Sequence, residues 1–249
     1  MRLLYITLAA LILSGCMGKA PVTGRNQIVF MSANEENAVG AKGYHEFLQK
    51  AKISTDKVQT ARVKRIGQRI AKAANRPDFN WEFNLVDDKQ VNAWCMPGGK
   101  VVVYTGILAM AKNDDQLATV MAHEVSHALA RHGAERMSHQ KISSGVQQAA
   151  NILLGATAPE YTNAFNLAYG VGTQYGVMLP YGRSHEHEAD EIGIHLMHKA
   201  GYNVHEAPKF WQNMKAANPN APMEFLSTHP SDDKRIKRIS TIIQSLEKK

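Results

Sequence analysis

The hydrophobic and polar positions of the chain first follow a helical period. Apolar residues recur three and four apart over residues 32–51 and again over residues 55–74. This spacing places them on one side of a helix, so both segments are predicted to be amphipathic helices. Ser32, with Glu35 three residues later, forms a capping box and predicts where the first helix begins.

The period then changes to two, which indicates strands. Residues 81–86 alternate between apolar and polar side chains, as expected for a half-buried strand. Residues 91–96 and 100–105 are predicted to form two further strands. Pro97-Gly98-Gly99 between them is typical of a hairpin turn.

The next helical stretch contains the most informative motif. Asn113, with Gln116 three residues later, predicts the start of a helix. Within that helix lies His123-Glu124-Val125-Ser126-His127, an HExxH sequence. Apolar residues surround it at helical spacing, namely Leu117, Val120, Met121, Val125, Ala128 and Leu129. His and Glu are costly in a half-buried helix unless something binds them, so the motif favours a functional site.

The spacing of this motif predicts a metal centre. Residues four apart lie on one helical face, so His123 and His127 can bind one ion. Glu124 lies about 100° round the helix, beside the metal, where a general base for an activated water is needed. A catalytic zinc ion takes three protein ligands and keeps one position open, so a third ligand is expected elsewhere.

The best source of that third ligand is the segment from Ser184 to Asp190. The helix that follows has an apolar stripe made of Ala189, Ile192, Gly193, Leu196, Met197 and Ala200. The stripe centres near the direction of Glu186, which is therefore the predicted third ligand. His185 shares the inward side and is the alternative.

The other polar residues of this helix are expected to differ in their surroundings. Asp190, one turn after Glu186, is placed to accept an N–H from a ligating histidine and so orient its ring. A surface carboxylate is the alternative for Asp190. His187 and Glu188 project away from the stripe, and Glu188 and Glu191 are predicted to lie on a solvated face.

Together these motifs resemble the HtpX-like and Oma-like zinc metallopeptidases of the M forty-eight family, above all its bacterial periplasmic lipoprotein members. The resemblance rests on HExxH and on Glu186-x-Glu188-Ala189-Asp190, which begins 59 residues after His127. It extends from about Pro21 to the last helix. Further matching stretches are Pro21-Val22-Thr23-Gly24-Arg25, Asn92-Ala93-Trp94, Pro97-Gly98-Gly99-Lys100 and Ser227-Thr228-His229-Pro230 with Arg235.

The resemblance implies an α+β fold, namely a zincin-like metallopeptidase domain that is mostly helical, with a small three-stranded sheet beside the HExxH helix. It implies one Zn2+ per subunit with Glu186 as third ligand, and hydrolysis of peptide bonds in unfolded or misassembled cell-envelope proteins. Asn92 and Ala93 stand where the family places an edge strand that holds an extended substrate. A purely structural strand is the alternative.

A tetrahedral oxyanion would need a further donor near the metal. His229 and Arg235 are the candidates from the last loop and helix. His229 could instead be a turn residue, or could reach the zinc and close its open position. Arg235 could be an ordinary surface residue of its helix.

Residues 139–179 contain no recognisable motif. Ser143-Ser144-Gly145 is predicted to open a helix that ends near Ala156, and Pro159 to start another that runs towards Met178. These are expected to be either two helices packed beside the site, a mobile cover or a partner surface.

The first residues are predicted to be a targeting segment. Arg2 precedes an apolar run over residues 3–13 that is too short to span a bilayer. The run ends in Leu13-Ser14-Gly15-Cys16, which resembles a bacterial lipobox whose cysteine is acylated. An ordinary cleaved signal is the alternative. Met17 after Cys16, rather than Asp, indicates an outer-membrane anchor facing the periplasm.

These features predict three segments, namely a signal peptide over residues 1–15, a lipidated lead-in over 16–31, and a metallopeptidase domain over 32–249. The net charge is +7, but no basic patch interleaved with aromatic residues appears, so no nucleic-acid partner is expected. Nothing in the pattern favours one oligomeric state.

Two other functional classes fit parts of the chain. One is a chaperone-like outer-membrane assembly factor whose zinc site is mainly structural or regulatory. The other is a passive binding lipoprotein with an accidental HExxH. Glu124 favours an enzyme, because a purely structural metal site has no need of a base.

Overall fold

The computed structural model describes residues 17–174, 178–217, 224–230 and 232–248. Its strands are β1 Met17–Lys19, β2 Asn26–Ile28, β3 Glu82–Val86, β4 Ala93–Met96 and β5 Lys100–Tyr104. Its helices are α1 Ala33–Leu48, α2 Lys57–Ala74, α3 Thr105–Met110, α4 Asp114–Leu129, α5 His132–Thr157, α6 Thr162–Thr173, α7 Leu179–Lys199, α8 Glu206–Ala217, α9 Glu224–Thr228 and α10 Asp233–Glu247. A 3₁₀ turn, Pro159–Tyr161, separates α5 from α6.

The chain divides into two compact units. The larger contains Ala33–Ala130 and His187–Lys249, and the smaller contains the described part of Met1–Ser32 with Arg131–Glu186. The division falls inside helix α7, between Glu186 and His187.

The larger unit is built around a small mixed sheet. Its strand order is β3-β5-β4, with β3 parallel and β4 antiparallel to β5. Gly98 and Gly99 adopt positive φ angles of 82° and 81° in the turn between β4 and β5, a conformation that favours glycine. All three strands of this sheet lie where the sequence predicts them, and β4 is two residues shorter than expected.

Helix α4 is the central helix of the larger unit. It packs against β4 and β5, and also against α2 and α8. Val120, Met121 and Val125 are fully buried in the core cluster that this packing forms. Burying apolar side chains of this size stabilises the fold by about 1.5–3 kcal/mol each, so packing on several sides fixes the position of α4.

The smaller unit consists of a short antiparallel β1–β2 pair, helices α5 and α6, and the first part of α7. Helix α5 and helix α6 pack on each other. Gln147 donates to the Asn166 side chain at 2.9 Å, and the Tyr169 hydroxyl donates to the Ser143 carbonyl at 2.9 Å.

The predicted start of α5 is wrong. The helix begins at His132 and continues through Ser143-Ser144-Gly145 to Thr157. What separates it from α4 is Arg131, whose φ of 62° is left-handed. A non-glycine residue rarely adopts this conformation, so no local pattern marks the break. Pro159 opens the 3₁₀ turn, and α6 begins at Thr162.

The fold class predicted from the sequence is confirmed, because the chain is mostly helical with a small mixed sheet. Among the described residues, no helix combines the length and apolarity needed to cross a membrane. The predicted acylation site, Cys16, lies outside the described residues.

Candidate metal centre

Helix α4 presents the HExxH residues from a firmly fixed start. The Asn113 side chain accepts the Gln116 backbone N–H at 2.8 Å, which is the predicted cap. The Gln116 amide donates to Glu206 of α8 at 2.8 Å. From this anchored end, the helix places His123 and Glu124 in buried positions and His127 in a half-buried one.

Three histidine rings converge at the other end of α4. Nε2 of His123 lies 3.1 Å from Nε2 of His127 and 3.2 Å from Nδ1 of His229. Glu186 lies on helix α7. It completes a cluster in which each of these four residues offers one ligand atom, all within 4.8 Å of one another.

The donor atoms of this cluster fit a metal ion. Three imidazole nitrogens and one carboxylate oxygen are the ligand types that zinc takes in proteins, in the number that a tetrahedral site requires. Atoms this close to one another suit a single ion. The cluster can therefore hold a metal, with His229 as the member that HExxH and Glu186 do not account for.

Glu124 lies beside the cluster without belonging to it. Its side chain is buried, and Oε1 is 3.4 Å from Nε2 of His229. A carboxylate in this position can exchange a proton with a group bound at the cluster. The structure thus separates the base candidate from the ligand atoms, as the position of Glu124 in HExxH predicts.

Asp190 contacts the far side of the His123 ring. Its Oδ1 lies 3.1 Å from Nδ1 of His123, and both side chains are buried. An N–H on Nδ1 that donates to this carboxylate leaves Nε2 with its lone pair directed at the other cluster atoms. Burial raises the pKa of Asp190, but Arg235 and His123 outweigh burial and lower it.

Arg235 is the ionic partner of Asp190. Its Nε and Nη2 donate to the two carboxylate oxygens at 2.7 and 2.8 Å. Its Nη1 donates to the Pro230 carbonyl at 2.9 Å, and its guanidinium stacks 3.8 Å from the Trp211 ring. Arg235 is buried rather than a surface residue of its helix, which excludes the alternative offered by the sequence.

For two residues near the metal centre, Trp211 and Gly193, the sequence does not predict that they lie beside it. Trp211, on the buried side of α8, lies beneath Arg235 and 5.6 Å from the His123 ring. The apolar face of α8 predicts that Trp211 is buried, but not what it contacts. A Cβ on Gly193 would lie 3.3 Å from the His123 backbone nitrogen, so a glycine there lets α7 approach α4 closely.

His185, the rival third ligand, contacts a different group. Its Nε2 lies 2.9 Å from Oε2 of Glu135, and its ring stacks on His132 at 4.0 Å. Among the described residues, the possible metal ligands do not include it. The helical-phase argument therefore chose the residue that joins the cluster, although its role as a ligand stays a prediction.

The expectation for Glu188 is wrong. This side chain is buried, with 6% of its surface exposed, and His187 is half-buried. Helix α7 is buried on more than one face around these positions, so its apolar stripe underestimates how much of it is covered. Glu191 is exposed as predicted.

Asn92 and Ala93 lie at the start of β4, an edge strand in the described sheet. The Asn92 side chain accepts the Ala93 backbone N–H at 2.8 Å, and the Asn92 carbonyl accepts the N–H of Tyr104 at 3.1 Å. The Asn92 carbonyl is thus bonded to β5, whereas the Ala93 N–H is bonded to the neighbouring side chain. This difference affects how a peptide could pair with the edge.

Known proteins place this site in a family. The model of peptidase family M48 matches residues 57–243. The mitochondrial metalloendopeptidase OMA1 of Schizosaccharomyces pombe is 33% identical over 88% of this chain and 64% of its own length. OMA1 of Saccharomyces cerevisiae is 31% identical over 93% of this chain and 72% of its own length.

The chain is also similar to a bacterial protease with a different name. The beta-barrel assembly-enhancing protease of Escherichia coli is 30% identical over 83% of this chain. The chain spans only 43% of that relative's length. The family match covers all of the larger unit's sheet, helix α4 and the ligand cluster. The chain therefore belongs to peptidase family M48.

Proposed function

We propose that this protein is a metallopeptidase that uses one zinc ion to cleave unfolded or misassembled polypeptides of the cell envelope. The observation that carries the proposal is the cluster of His123, His127, Glu186 and His229 with Glu124 beside it. Four protein ligands can close a structural metal site, but such a site needs no base. Here a buried carboxylate lies next to the cluster, which favours catalysis.

In this proposal His123, His127 and Glu186 hold the metal. The ion, when bound, polarises the scissile carbonyl and makes the attacking water acidic. Glu124 accepts the proton of that water and later donates it to the leaving amine. Its burial excludes bulk water from the carboxylate, so the proton stays available for the amine.

Asp190 and Arg235 act as a pair behind His123. Asp190 keeps the proton of His123 on Nδ1, and Arg235 keeps Asp190 ionised and in place. Each of the three guanidinium nitrogens of Arg235 donates to Asp190 or Pro230, and Nη2 also lies 3.3 Å from both ring nitrogens of His123. We therefore assign Arg235 to supporting Asp190 rather than to binding an oxyanion.

His229 has two possible roles, and its position favours one of them. Its Nδ1 is 3.2 Å from the ligand nitrogen of His123. With a ring at that distance, a metal held by the other three residues would have His229 as its fourth ligand, in the place that a substrate needs. We propose that the structure is a resting form and that His229 withdraws before a peptide binds. Once withdrawn, it can donate to the developing oxyanion.

Strand β4 is the proposed docking edge for substrate. Because Tyr104 donates to the Asn92 carbonyl, the main-chain groups of Asn92 face β5. By the alternation of an antiparallel pair, those of Ala93 and Cys95 face the other way. An extended peptide would therefore pair with Ala93 and Cys95, while the Asn92 side chain must release the Ala93 N–H.

The membrane attachment is also a proposal. The lipobox-like sequence ending at Cys16 supports a lipid anchor, a mature chain that begins at residue 16, and a metallopeptidase domain over residues 32–249. The relatives' names point to two compartments, because one is mitochondrial and the other concerns β-barrel assembly. The lipobox favours the bacterial arrangement, with an outer-membrane anchor facing the periplasm.

Cleavage of an unfolded protein such as casein tests the proposal. The wild type is expected to cleave it and to lose this activity with a zinc chelator. Glu124→Gln should retain zinc and fold but lose at least about a thousandfold in kcat, because the base is removed without changing its shape. Glu191→Gln is the matched control, since Glu191 is an exposed glutamate of α7, and it should cleave normally.

Two outcomes would contradict the proposal. Cleavage by Glu124→Gln at the wild-type rate would refute the assigned mechanism. A zinc-loaded wild type that cleaves no polypeptide, yet promotes β-barrel assembly, would favour the chaperone-like alternative. That alternative is supported by the name of the Escherichia coli relative.

A further inference from the structure

The segment Pro21-Val22-Thr23-Gly24-Arg25 has no role in the mechanism above. It forms the turn between β1 and β2. Gly24 has a φ of 71°, and its N–H donates to the Ala20 carbonyl at 2.9 Å. The Ala20 N–H donates back to the Arg25 carbonyl at 2.7 Å. The turn thus closes on itself and fixes the backbone from which the Arg25 side chain extends.

Residues 17–31, which we name the strap, are fastened to helix α5. The Phe30 N–H donates to the Ser138 hydroxyl at 3.1 Å, and Arg131 donates to the Met31 carbonyl at 2.6 Å. These two contacts and the turn fix the path of the strap along the start of α5. Arg25 is therefore held at both ends of its segment.

Arg25 forms a two-point ion pair with Glu135 of α5. Its Nη1 and Nη2 donate to the two carboxylate oxygens at 3.0 and 2.6 Å. Glu135 has no exposed surface. A carboxylate removed from water in this way requires charged or hydrogen-bonding partners, and a two-point contact also fixes its orientation.

The same carboxylate holds His185. Oε2 of Glu135 lies 2.9 Å from Nε2 of His185, which is buried and stacks nearly parallel on His132. Burial raises the pKa of Glu135, but the hydrogen bonds from His185 and Arg25 outweigh burial and lower the pKa to about 2. Glu135 is thus a fixed anion between the strap and the turn of α7 that carries Glu186.

We infer that Arg25 is a positioning residue for the metal centre, acting through Glu135 and His185 on the orientation of Glu186. His185 precedes Glu186 in the same helical turn, so a ring held on both sides fixes the rotation of that turn. Without Arg25, the buried Glu135 loses a two-point contact with a guanidinium and is expected to shift towards His185. This shift moves the anchor of His185. The inference rests on the proposed role of Glu186 as a ligand.

The test measures zinc affinity in the purified full-length chain by competition with a chelator. Arg25→Gln is expected to weaken zinc binding about tenfold, the lower end of what partners behind metal ligands contribute. Its kcat should fall while KM stays unchanged, because the substrate edge is not altered. Lys19→Gln is the matched control, since it removes the same charge from an exposed strap residue, and it should bind zinc normally.

A double variant tests whether Arg25 acts through Glu135. Arg25→Gln combined with Glu135→Gln should weaken zinc no more than Glu135→Gln alone, since the two changes interrupt one connection. Full additivity of the two effects would refute the connection. If Arg25→Gln does not fold, Arg25→Lys keeps the charge without the two-point geometry, and it should weaken zinc about threefold.

The inference and the proposed function fail in different ways. A folded Arg25→Gln or Arg25→Lys that binds zinc as tightly as the wild type would overturn the inference, even if its Tm were lower. A wild type that binds no zinc would instead overturn the proposed function.

Discussion

Helix α4 and the pair formed by α5 and α6 are both helical, but they are held in different ways. Thirteen of the 16 residues of α4 are buried. In the helical pair, residues 132–173, the buried residues described are confined to the first two turns of α5, and α6 has none. The exposed large apolar side chains of the helical pair are Val146, Ile152, Leu153, Tyr161, Leu167 and Val171.

The difference shows what a helix needs in order to position chemistry. Packing on several sides fixes α4, so its polar side chains keep their geometry. The helical pair has one charged residue between positions 142 and 173, Glu160, and almost no core of its own. Segments with few buried contacts open at low free-energy cost. We therefore expect the HExxH helix to be among the last parts to open and the helical pair among the first.

The largest expected effect comes from breaking the buried ion pair behind α4. Arg235→Gln leaves Asp190 charged and buried with a neutral partner, which should lower the free energy of unfolding by about 3–5 kcal/mol. Urea unfolding measures the change. Arg238→Gln, an exposed arginine on the same helix, is the control and should change stability little. Equal losses of stability in Arg235→Gln and Arg238→Gln would contradict the different roles assigned to the two arginines.

Core truncation in α4 should come next. Leu117 is fully buried in the core cluster, so Leu117→Ala is expected to lower the free energy of unfolding by about 2–5 kcal/mol through lost burial and a residual cavity. Urea unfolding again measures it. A loss below about 1 kcal/mol would show that α4 can relax around the cavity, contrary to its packing on several sides.

The stability that Glu135 contributes near the start of α5 should depend on pH. The folded pKa of Glu135 is about 2, below its ordinary value of 4.5, so its contribution is present above about pH 4.5 and is lost as pH falls towards 2. The contribution is on the order of 3 kcal/mol. The difference in unfolding free energy between wild type and Glu135→Gln should shrink over this range. A difference that stays constant with pH would refute the lowered pKa.

The smallest effect is expected in the helical pair. Leu153→Ala removes a side chain that is 64% exposed, so the free energy of unfolding should change by no more than about 0.5 kcal/mol. Hydrogen exchange should show the amides of residues 146–171 exchanging earlier than those of α4. A large loss of stability, or equal protection of both regions, would remove the contrast between them.

Local patterns explain why much of this site was predictable. His123, Glu124 and His127 lie within one helical turn or so, where spacing alone defines a shared face. The apolar stripe of α7 distinguished Glu186 from His185 because helix geometry holds over that short range. The same argument failed for Glu188, since the stripe shows which face is most buried and not how much of the helix is covered.

Contacts between residues far apart in the chain could not be predicted from the sequence. Arg25 meets Glu135 across 110 positions, and Arg235 meets Asp190 across 45. Trp211 completes the surroundings of Arg235 from a third helix. Arg25, Asp190 and Arg235 lie in stretches that carry the family resemblance, but no local pattern shows which distant residue each of them contacts. The break at Arg131 was missed because a left-handed backbone is rare for an arginine and no local pattern marks it.

The contact between Arg235 and Asp190 also sets an order of events during folding. Arg235 follows His123 by 112 residues in the chain. Until helix α10 packs, Asp190 lacks its contact with the Arg235 guanidinium. We expect the metal centre to stay incomplete until helix α10 has folded. In the function proposed above, this order keeps a copy that is still folding from cleaving other unfolded chains.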